Sequence, residues 1–327
     1  MRLYPLLFRH VYRDYLWGGD RIARRFGRGD APAVCAESWE ISPHPDGPSI
    51  VANGPLAGRD LQSLCDEFGE ALIGSAAEGT RFPLLLKLID AKEKLSVQVH
   101  PSDETAAAVG GEAKTEMWYV IDADPGATIY CGLRDCPGPR TLRDALAAHR
   151  VPGLLLGHPS EVGSAMFVPG GTVHAIGEGN LIYEVQQNSN TTYRVFDWDR
   201  VGADGRSREL HIDKAVAVID WRAPRPGFLR PVAESDTATG NRHSRILRSD
   251  FFELRSTRFR VREEIALDGL TFHALFVQDG AARLTWADMD APIDLPLGTS
   301  CLVPASLGAY ALEPAGDDGA TVLTTTI

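Results

Sequence analysis

Three short segments carry side chains able to ligate a metal: LSVQVHP at Leu95–Pro101, AKTEMWY at Ala113–Tyr119, and FVPGGTVHAI at Phe167–Ile176. Successive side chains of a strand point to opposite faces, so Leu95, Val97 and Val99 should line one side and Ser96, Gln98 and His100 the other. The same alternation puts Lys114, Glu116 and Trp118 together, a cation beside a carboxylate. In the third segment Pro169, Gly170 and Gly171 form a tight turn ahead of His174. Taken singly, each has an ordinary reading: a half-solvated strand, an exposed Lys–Glu pair, a packed histidine. Together they offer two imidazoles and a carboxylate, with a carboxamide nearby. Two His and one Glu with a position left open form a recognised catalytic zinc set. The same donors also suit Fe, Mn or Co, so they imply a metal before they imply which one.

The elements that must position these residues are mostly short strands. Lys94–Val99, Met117–Asp122, Ala165–Val168, Leu181–Val185 and Thr192–Phe196 are β-type runs bounded by Gly, Pro, Asp and Asn. Helical spacing is confined to Leu61–Ile73, Asp103–Val109, Thr141–His149 and Glu209–Ile219, the last with Leu210, Ile212, Ala215, Val216 and Ile219 on one side. An internal echo bears on architecture. GSAMFVPGGTVH at Gly163–His174 and GTSCLVPASLGA at Gly298–Ala309 share a Gly, five residues, a Pro and five more, ending on His174 in one copy and Ala309 in the other. A unit used twice, armed once and blank once, predicts two related barrels of which only the first holds metal. The Pro- and Arg-rich stretch Trp221–Pro231 reads as the linker. The expected division is a metal-binding domain at 1–222, with helical segments, and a degenerate one at 223–327.

Composition sets the outer limits. A chain of 327 residues allows one large or two modest domains, and 44% hydrophobic with 24% charged residues is ordinary for a globular protein. A net charge of -11 argues against a nucleic acid or an acidic membrane surface as partner. An anionic small molecule would still be held by two or three local cations. No apolar run suits a signal peptide or a membrane span. The cysteines at 35, 65, 131, 136 and 301 are odd in number and scattered, which reads as reduced thiols and a cytoplasmic setting. His44, His149, His158, His211, His243 and His273 lack ligand spacing. Asp197, Asp199 and Arg200 read as a structural ion-pair turn, and Trp17 and Trp39 as packing.

In order along the chain, YLWGGD (15–20), ESWEIS (37–42), FPLLLKLIDAKEKLSVQVHP (82–101), KTEMWYVID (114–122) and FVPGGTVHAIGEGNLIYEVQQNSNTTYRVFDWDR (167–200) resemble the type I mannose-6-phosphate isomerases, in their short bacterial form, of the cupin superfamily. The resemblance covers about residues 5 to 220 and more faintly the remainder. It implies a mainly β fold of two cupin-type (jelly-roll) barrels with a few short helices. It further implies one Zn2+ per chain on Gln98, His100, Glu116 and His174; the residue types alone leave Gln98 outside the ligand set. The same resemblance implies Lys87, Ser96 and Arg194 around a sugar phosphate, with Lys114 and Glu184 near the reacting carbons. Two departures limit the transfer. Larger fungal and enteric members have a His where this chain has Ala113, and their long helical insertion has no counterpart here.

The chemistry so implied is aldose–ketose isomerisation between D-mannose 6-phosphate and D-fructose 6-phosphate through an enediol. It needs an electrophile for the developing oxyanion, a base on one face of the sugar, and a phosphate anchor. Arg194 and Lys114 would add positive potential at the oxyanion. Glu184 is a candidate base or an orienting group, with Lys114 or a metal-activated water as alternatives. Two other functions share the fold: a metal-dependent cupin oxygenase, disfavoured by a Gln in one of four ligand places, and a non-catalytic sugar-phosphate-binding or regulatory module, disfavoured by the full set of cations. A monomer or a homodimer fits equally.

Overall fold

The computed structural model describes residues 2–202, 205–223, 226–236, 240–287 and 291–327, with the side chains of 235 and 236 left aside. Residues 224 and 225 of the expected linker fall outside this set. The architecture is mainly β with few helices, as the strand patterns predicted. All strand pairs are antiparallel and fall into four sheets.

A seven-stranded sheet runs in the order Phe228–Leu229, Ala165–Val168, Glu116–Ala123, Asn180–Gln187, Leu84–Ala91, Glu37–Ile41, Val11–Arg13. It faces a five-stranded sheet ordered Tyr193–Phe196, Val97–Val99, His174–Ile176, Thr128–Leu133, Leu155–Pro159. A second seven-stranded sheet, with Ser300–Val303, His273–Asp279 and Ala320–Thr326 near its middle, faces a four-stranded one in the same way. Among the described residues the ladders do not join into a closed barrel.

Period-two alternation makes each large sheet serve two cores. From the first, Leu84, Leu86, Leu88, Met117, Tyr119 and Tyr183 point to the back and meet Leu254, Phe276, Leu302 and Leu323 of the second large sheet. Ile89, Trp118, Val120 and Ile182 point forward, against Ile129, Cys131 and Ile176 of the five-stranded sheet. Two sheet pairs therefore stand back to back. The echo segments occupy matching places. Gly163 and Gly298 both take positive φ, 84° and 78°, and each donates to the middle of a neighbouring strand, at Val120 and Val277. From there one copy leads to the strand starting at His174 and the other to the strand starting at Ala309, each in the smaller sheet of its pair.

Several expected boundaries moved. Leu61–Ile73 is two helices, Leu61–Phe68 and Glu70–Ile73, broken at Gly69 with φ 48°. The helix expected from Glu209 begins at Ile212, and Arg21–Phe26 is an additional helix. The strand expected from Lys94 begins at Val97, because the carbonyls of Lys94 and Leu95 are taken by Arg200 Nη1 and Trp198 Nε1 at 2.6 and 2.7 Å. Leu95 consequently packs into the interior with Trp118, away from the face of Val97 and Val99.

A buried polar lock ties the two sheet pairs. Arg28 donates to both oxygens of Glu40 at 2.7 and 3.0 Å, to Ser38 Oγ at 2.6 Å and to the Gly298 carbonyl at 2.7 Å. Ser300 Oγ donates to the same carboxylate at 2.8 Å. Burial opposes ionisation of Glu40, but Arg28 outweighs it and holds this carboxyl below its usual range. Removing one partner strands the other charge in the interior, so Arg28→Met should lower the unfolding free energy by about 3–5 kcal/mol in urea titration.

Candidate metal centre and its cavity

Three hydrogen bonds from backbone N–H groups bring the three candidate ligand segments together. Gly171 N–H donates to the His100 carbonyl at 2.7 Å, Lys114 N–H to the Pro101 carbonyl at 3.0 Å, and Gly170 N–H to Thr115 Oγ1 at 3.1 Å. The turn needs its glycines. A Cβ on Gly170 would lie 2.6 Å from Ser102 Cα, and Gly171 has φ 87°. The turn thus lies directly on the chain leaving His100, and His174 emerges beside it.

The Nε2 atoms of His100 and His174 are 3.2 Å apart, and His174 Nε2 is 3.2 Å from Glu116 Oε1. His100 Nε2 is 3.5 Å from Glu116 Oε2. All three side chains are buried. Each ring's other nitrogen faces a backbone carbonyl at 2.8 Å, that of Thr191 for His100 and Thr172 for His174. Those carbonyls can only accept, so each Nδ1 carries the proton and each Nε2 presents a lone pair. Two lone pairs and a carboxylate oxygen with no hydrogen bond, Glu116 Oε1, converge on one point. That arrangement fits a cation. His100, Glu116 and His174 are the group among the described residues whose donor atoms are close enough to share one.

Gln98 stands next to them. It pairs directly across the ladder with His174 on one side and Arg194 on the other, so all three project from the same sheet face. Lys114 donates to Glu116 Oε2 at 2.6 Å, with its ammonium 3.2 Å from His100 Nε2. Electrostatics follow this packing. Burial and the Lys114 charge push His100 down to about 3, and burial lowers His174 against the pull of Glu116. For Glu116, burial is outweighed by Lys114 and the two histidines, which hold it well below the carboxylate range. The site is therefore deprotonated and ready for a cation at neutral pH.

A cavity of about 260 Å³ opens beside this group, lined by Lys87, Ser96, Gln98, Lys114, Glu184 and Arg194, together with Trp17, Glu37, Trp118 and Arg208. Its volume lies below the roughly 300–1,000 Å³ of drug-sized sites, so it suits one small molecule. On its floor Glu184 Oε1 accepts from Trp118 Nε1 at 2.9 Å, while Oε2 makes no hydrogen bond and lies 3.4 Å from Lys87 Nζ. Burial raises the Glu184 pKa. Lys87 is also 3.6 Å from Glu37 and sits over the Trp39 ring. Burial works against its charge, but Glu37 and Glu184 prevail and raise its pKa.

All nine residues expected at the site thus gather at this cavity or at the metal-ligating group behind it. Glu37 and Arg208 were not expected there. Glu37 lies in the ESWEIS segment, where strand alternation alone would aim it with Trp39 at the same interior; Arg208 lies in a stretch with no periodicity to read. Of the expected ion-pair turn, Asp197 and Arg200 pair, with Arg200 Nη2 2.6 Å from Oδ1, whereas Asp199 turns instead to His149 Nδ1 at 2.8 Å. Trp39 and Trp17 are buried, and Trp17 also lines the cavity. The remaining histidines are outside the ligand group. The described cysteines are all free thiols, and no helix is long and apolar enough to cross a membrane among the described residues.

Fold and site together define a protein of two β-sheet pairs, the first of which gathers three buried donors able to share a cation and opens a small polar cavity beside them. Residues 6–126 match the type I phosphomannose isomerase catalytic domain. A mannose-6-phosphate isomerase of Streptococcus mutans is 43% identical over 221 residues, 67% of this chain and 69% of its own. The Bacillus subtilis protein YvyI is 35% identical over 312 residues, 94% of this chain and 96% of its own. The crystal structure of a mannose 6-phosphate isomerase from Bacillus subtilis superposes with a TM-score of 0.89 at 33% identity, covering 99% of this chain and 100% of that one. The chain belongs to the type I phosphomannose isomerase family and is an isomerase.

Two outcomes follow from the geometry. Glu116→Ala and His174→Ala should each abolish stoichiometric metal in elemental analysis; full metal content in either would show the ligand set to be wrong. For the metal-free protein, His100 in the fold stays neutral down to about pH 3, whereas an unfolded His titrates near its ordinary 6.5. Between those values the unfolded chain binds more protons, so stability should fall as pH drops from 6.5 toward 3. Urea midpoints at pH 7 and pH 5 measure this.

Proposed function

We propose that the protein interconverts D-mannose 6-phosphate and D-fructose 6-phosphate, with one zinc ion on Gln98, His100, Glu116 and His174. The observation that carries the proposal is the meeting of two fixed imidazole lone pairs and a carboxylate oxygen without a hydrogen bond on buried side chains, beside a cation-lined cavity. Family membership sets the reaction class and displaces the oxygenase and the non-catalytic module. The metal supplies a Lewis acid for negative charge that develops on the reacting oxygens. Its donor set, two imidazoles with a carboxylate, is one that zinc accepts. Lys114, which already lines the cavity, would add positive potential there.

The reaction removes the proton from C2 of the aldose, passes through an enediol, and returns a proton to C1. Glu184 is the group we assign as base. One of its oxygens is fixed by Trp118, the other makes no hydrogen bond and has the Lys87 ammonium 3.4 Å away, and burial raises its proton affinity. Arg194 and Ser96 suit the phosphate, since Arg194 lines the cavity with a buried Nε that has no partner. Lys87 is better fitted to steadying Glu184 and a sugar hydroxyl than to the phosphate, because two carboxylates already balance its charge. We further read each sheet pair as a jelly-roll cupin barrel, with 1–222 as the metal-binding domain and 223–327 as its blank copy, the two exchanging edge strands, since Phe228–Leu229 lies on the first large sheet and Leu6–Leu7 on the second. The echo, with Ala309 where the first copy has His174, supports this.

The purified protein should form fructose 6-phosphate from mannose 6-phosphate in a coupled assay, lose activity to a chelator and regain it with Zn2+. No product formation by the metal-replete protein would overturn the assignment. Glu184→Gln should keep its metal and lose about 10²- to 10⁴-fold in kcat with KM little changed. Arg194→Ala should raise KM for the phosphorylated sugar; unchanged kinetics would remove it from the site.

A further inference from the structure

The phosphate end of the cavity has a second arginine whose placement is as deliberate as that of the metal ligands. The segment ahead of the Ile212–Val218 helix is zipped onto the Arg194 strand. Arg194 N–H donates to His211 Nδ1 at 3.1 Å, His211 N–H returns to the Arg194 carbonyl at 2.8 Å, and Arg194 Nη1 donates to the Glu209 carbonyl at 2.7 Å. These bonds fix Arg208, one residue earlier, at the same cavity wall.

Asp197 then aims the guanidinium. This carboxylate is buried, with its two oxygens accepting from Arg208 Nε at 2.7 Å and Nη2 at 2.5 Å. It is itself anchored by Arg200, whose Nη1 is held at 2.6 Å by the Lys94 carbonyl, next to the Leu95–Ser96 wall. The pairing occupies one edge of the guanidinium; Nη1 has no protein partner among the described residues. Across the wall, Arg194 Nε is buried without a partner. Asp197 is the buried carboxylate among these three guanidinium groups (194, 200 and 208); the other carboxylates near them, Glu93 at 4.0 Å from Arg200 and Glu209 near Arg194, are solvent-exposed, so positive charge prevails on the cavity side, where Ser96 offers a hydroxyl. A dianionic tetrahedral group matches that excess, since it can accept from two guanidinium forks and a hydroxyl at once.

We propose that Arg208 is a substrate-binding residue that, with Arg194 and Ser96, completes a two-arginine site for the phosphate of the sugar, and that Asp197 is the positioning residue that presents it. The proposal rests on the sugar-phosphate reading above. It sharpens that reading by separating the two ends of the cavity: arginines take the phosphate, and the Lys87, Glu37 and Glu184 cluster faces the sugar.

The test uses the full-length, zinc-loaded protein with two independent readouts. The first is kinetic. Arg208→Ala should raise KM for mannose 6-phosphate by about 10- to 100-fold with kcat within a few-fold, the loss expected for a charge-assisted contact made equally in ground and transition states. Arg208→Lys, which keeps the charge beside Asp197 and guards against a folding artefact, should recover part of that loss. The second readout is binding of inorganic phosphate by calorimetry, which needs no turnover. Its affinity should drop by a similar factor in Arg208→Ala and partly return in Arg208→Lys. Unchanged KM and unchanged phosphate affinity in Arg208→Ala would overturn the assignment. If wild-type protein bound phosphate through Arg208 yet did not isomerise mannose 6-phosphate, the anion site would stand and the substrate reading would fall.

Discussion

Three acceptor atoms that ought to repel one another are held within van der Waals reach on buried side chains, and the rest of the first sheet pair is arranged around that fact. Two imidazole nitrogens with lone pairs forward and a carboxylate cannot be left unneutralised in a buried place. The fold answers locally with the Lys114 ammonium, and a divalent cation answers it more completely. Everything that holds the acceptors in place is rigid: ladder positions for Gln98 and His174, backbone carbonyls behind both rings, a glycine turn seated on the chain beside His100. The geometry is set before any ion arrives, which is what a site must do if it is to bind tightly and stay in one coordination.

The cavity inherits its polarity from the same scaffold. Strand alternation in the large sheet brings Lys87, Glu184 and Trp118 into one row, since Glu184 pairs with Lys87 on one side and Trp118 on the other. Opposite them, the small sheet contributes Gln98 and Arg194 from adjacent strands. The cavity therefore lies between a carboxylate–ammonium floor and the three donors able to share a cation, with cationic groups collected on the opposite wall. Two sheets facing each other give a charge gradient across a few ångströms without any loop having to close.

Much of this was legible from residue types at spacing two. His100, Glu116 and His174 were identified as potential ligands because each sat on a strand-like run next to a turn, and the structure brings these three within reach of one ion. Alternation failed at Leu95, where side chains from the Asp197 turn capture the carbonyls a ladder would have used; nothing within the segment itself signals that competition. Glu37 was within reach of the same alternation but carried no partner in sequence to suggest a role. Arg208 could not be read at all, because its position depends on a carboxylate eleven residues earlier and on a zip of backbone bonds across an irregular stretch. The repeat was visible as two prolines at equal distance from two glycines, yet the back-to-back packing of the large sheets needed coordinates to be seen.

The Arg28–Glu40 lock ties the second sheet pair to the wall of the cavity in the first. Glu40 leaves the same short strand as Glu37 and Trp39, and its carboxylate is gripped from the far side by Ser300 and, through Arg28, by the Gly298 carbonyl. The wall of the cavity is thus bolted to the second sheet pair. That pair acts as a buttress, and excising it would leave the first with a bare greasy back and a loose wall.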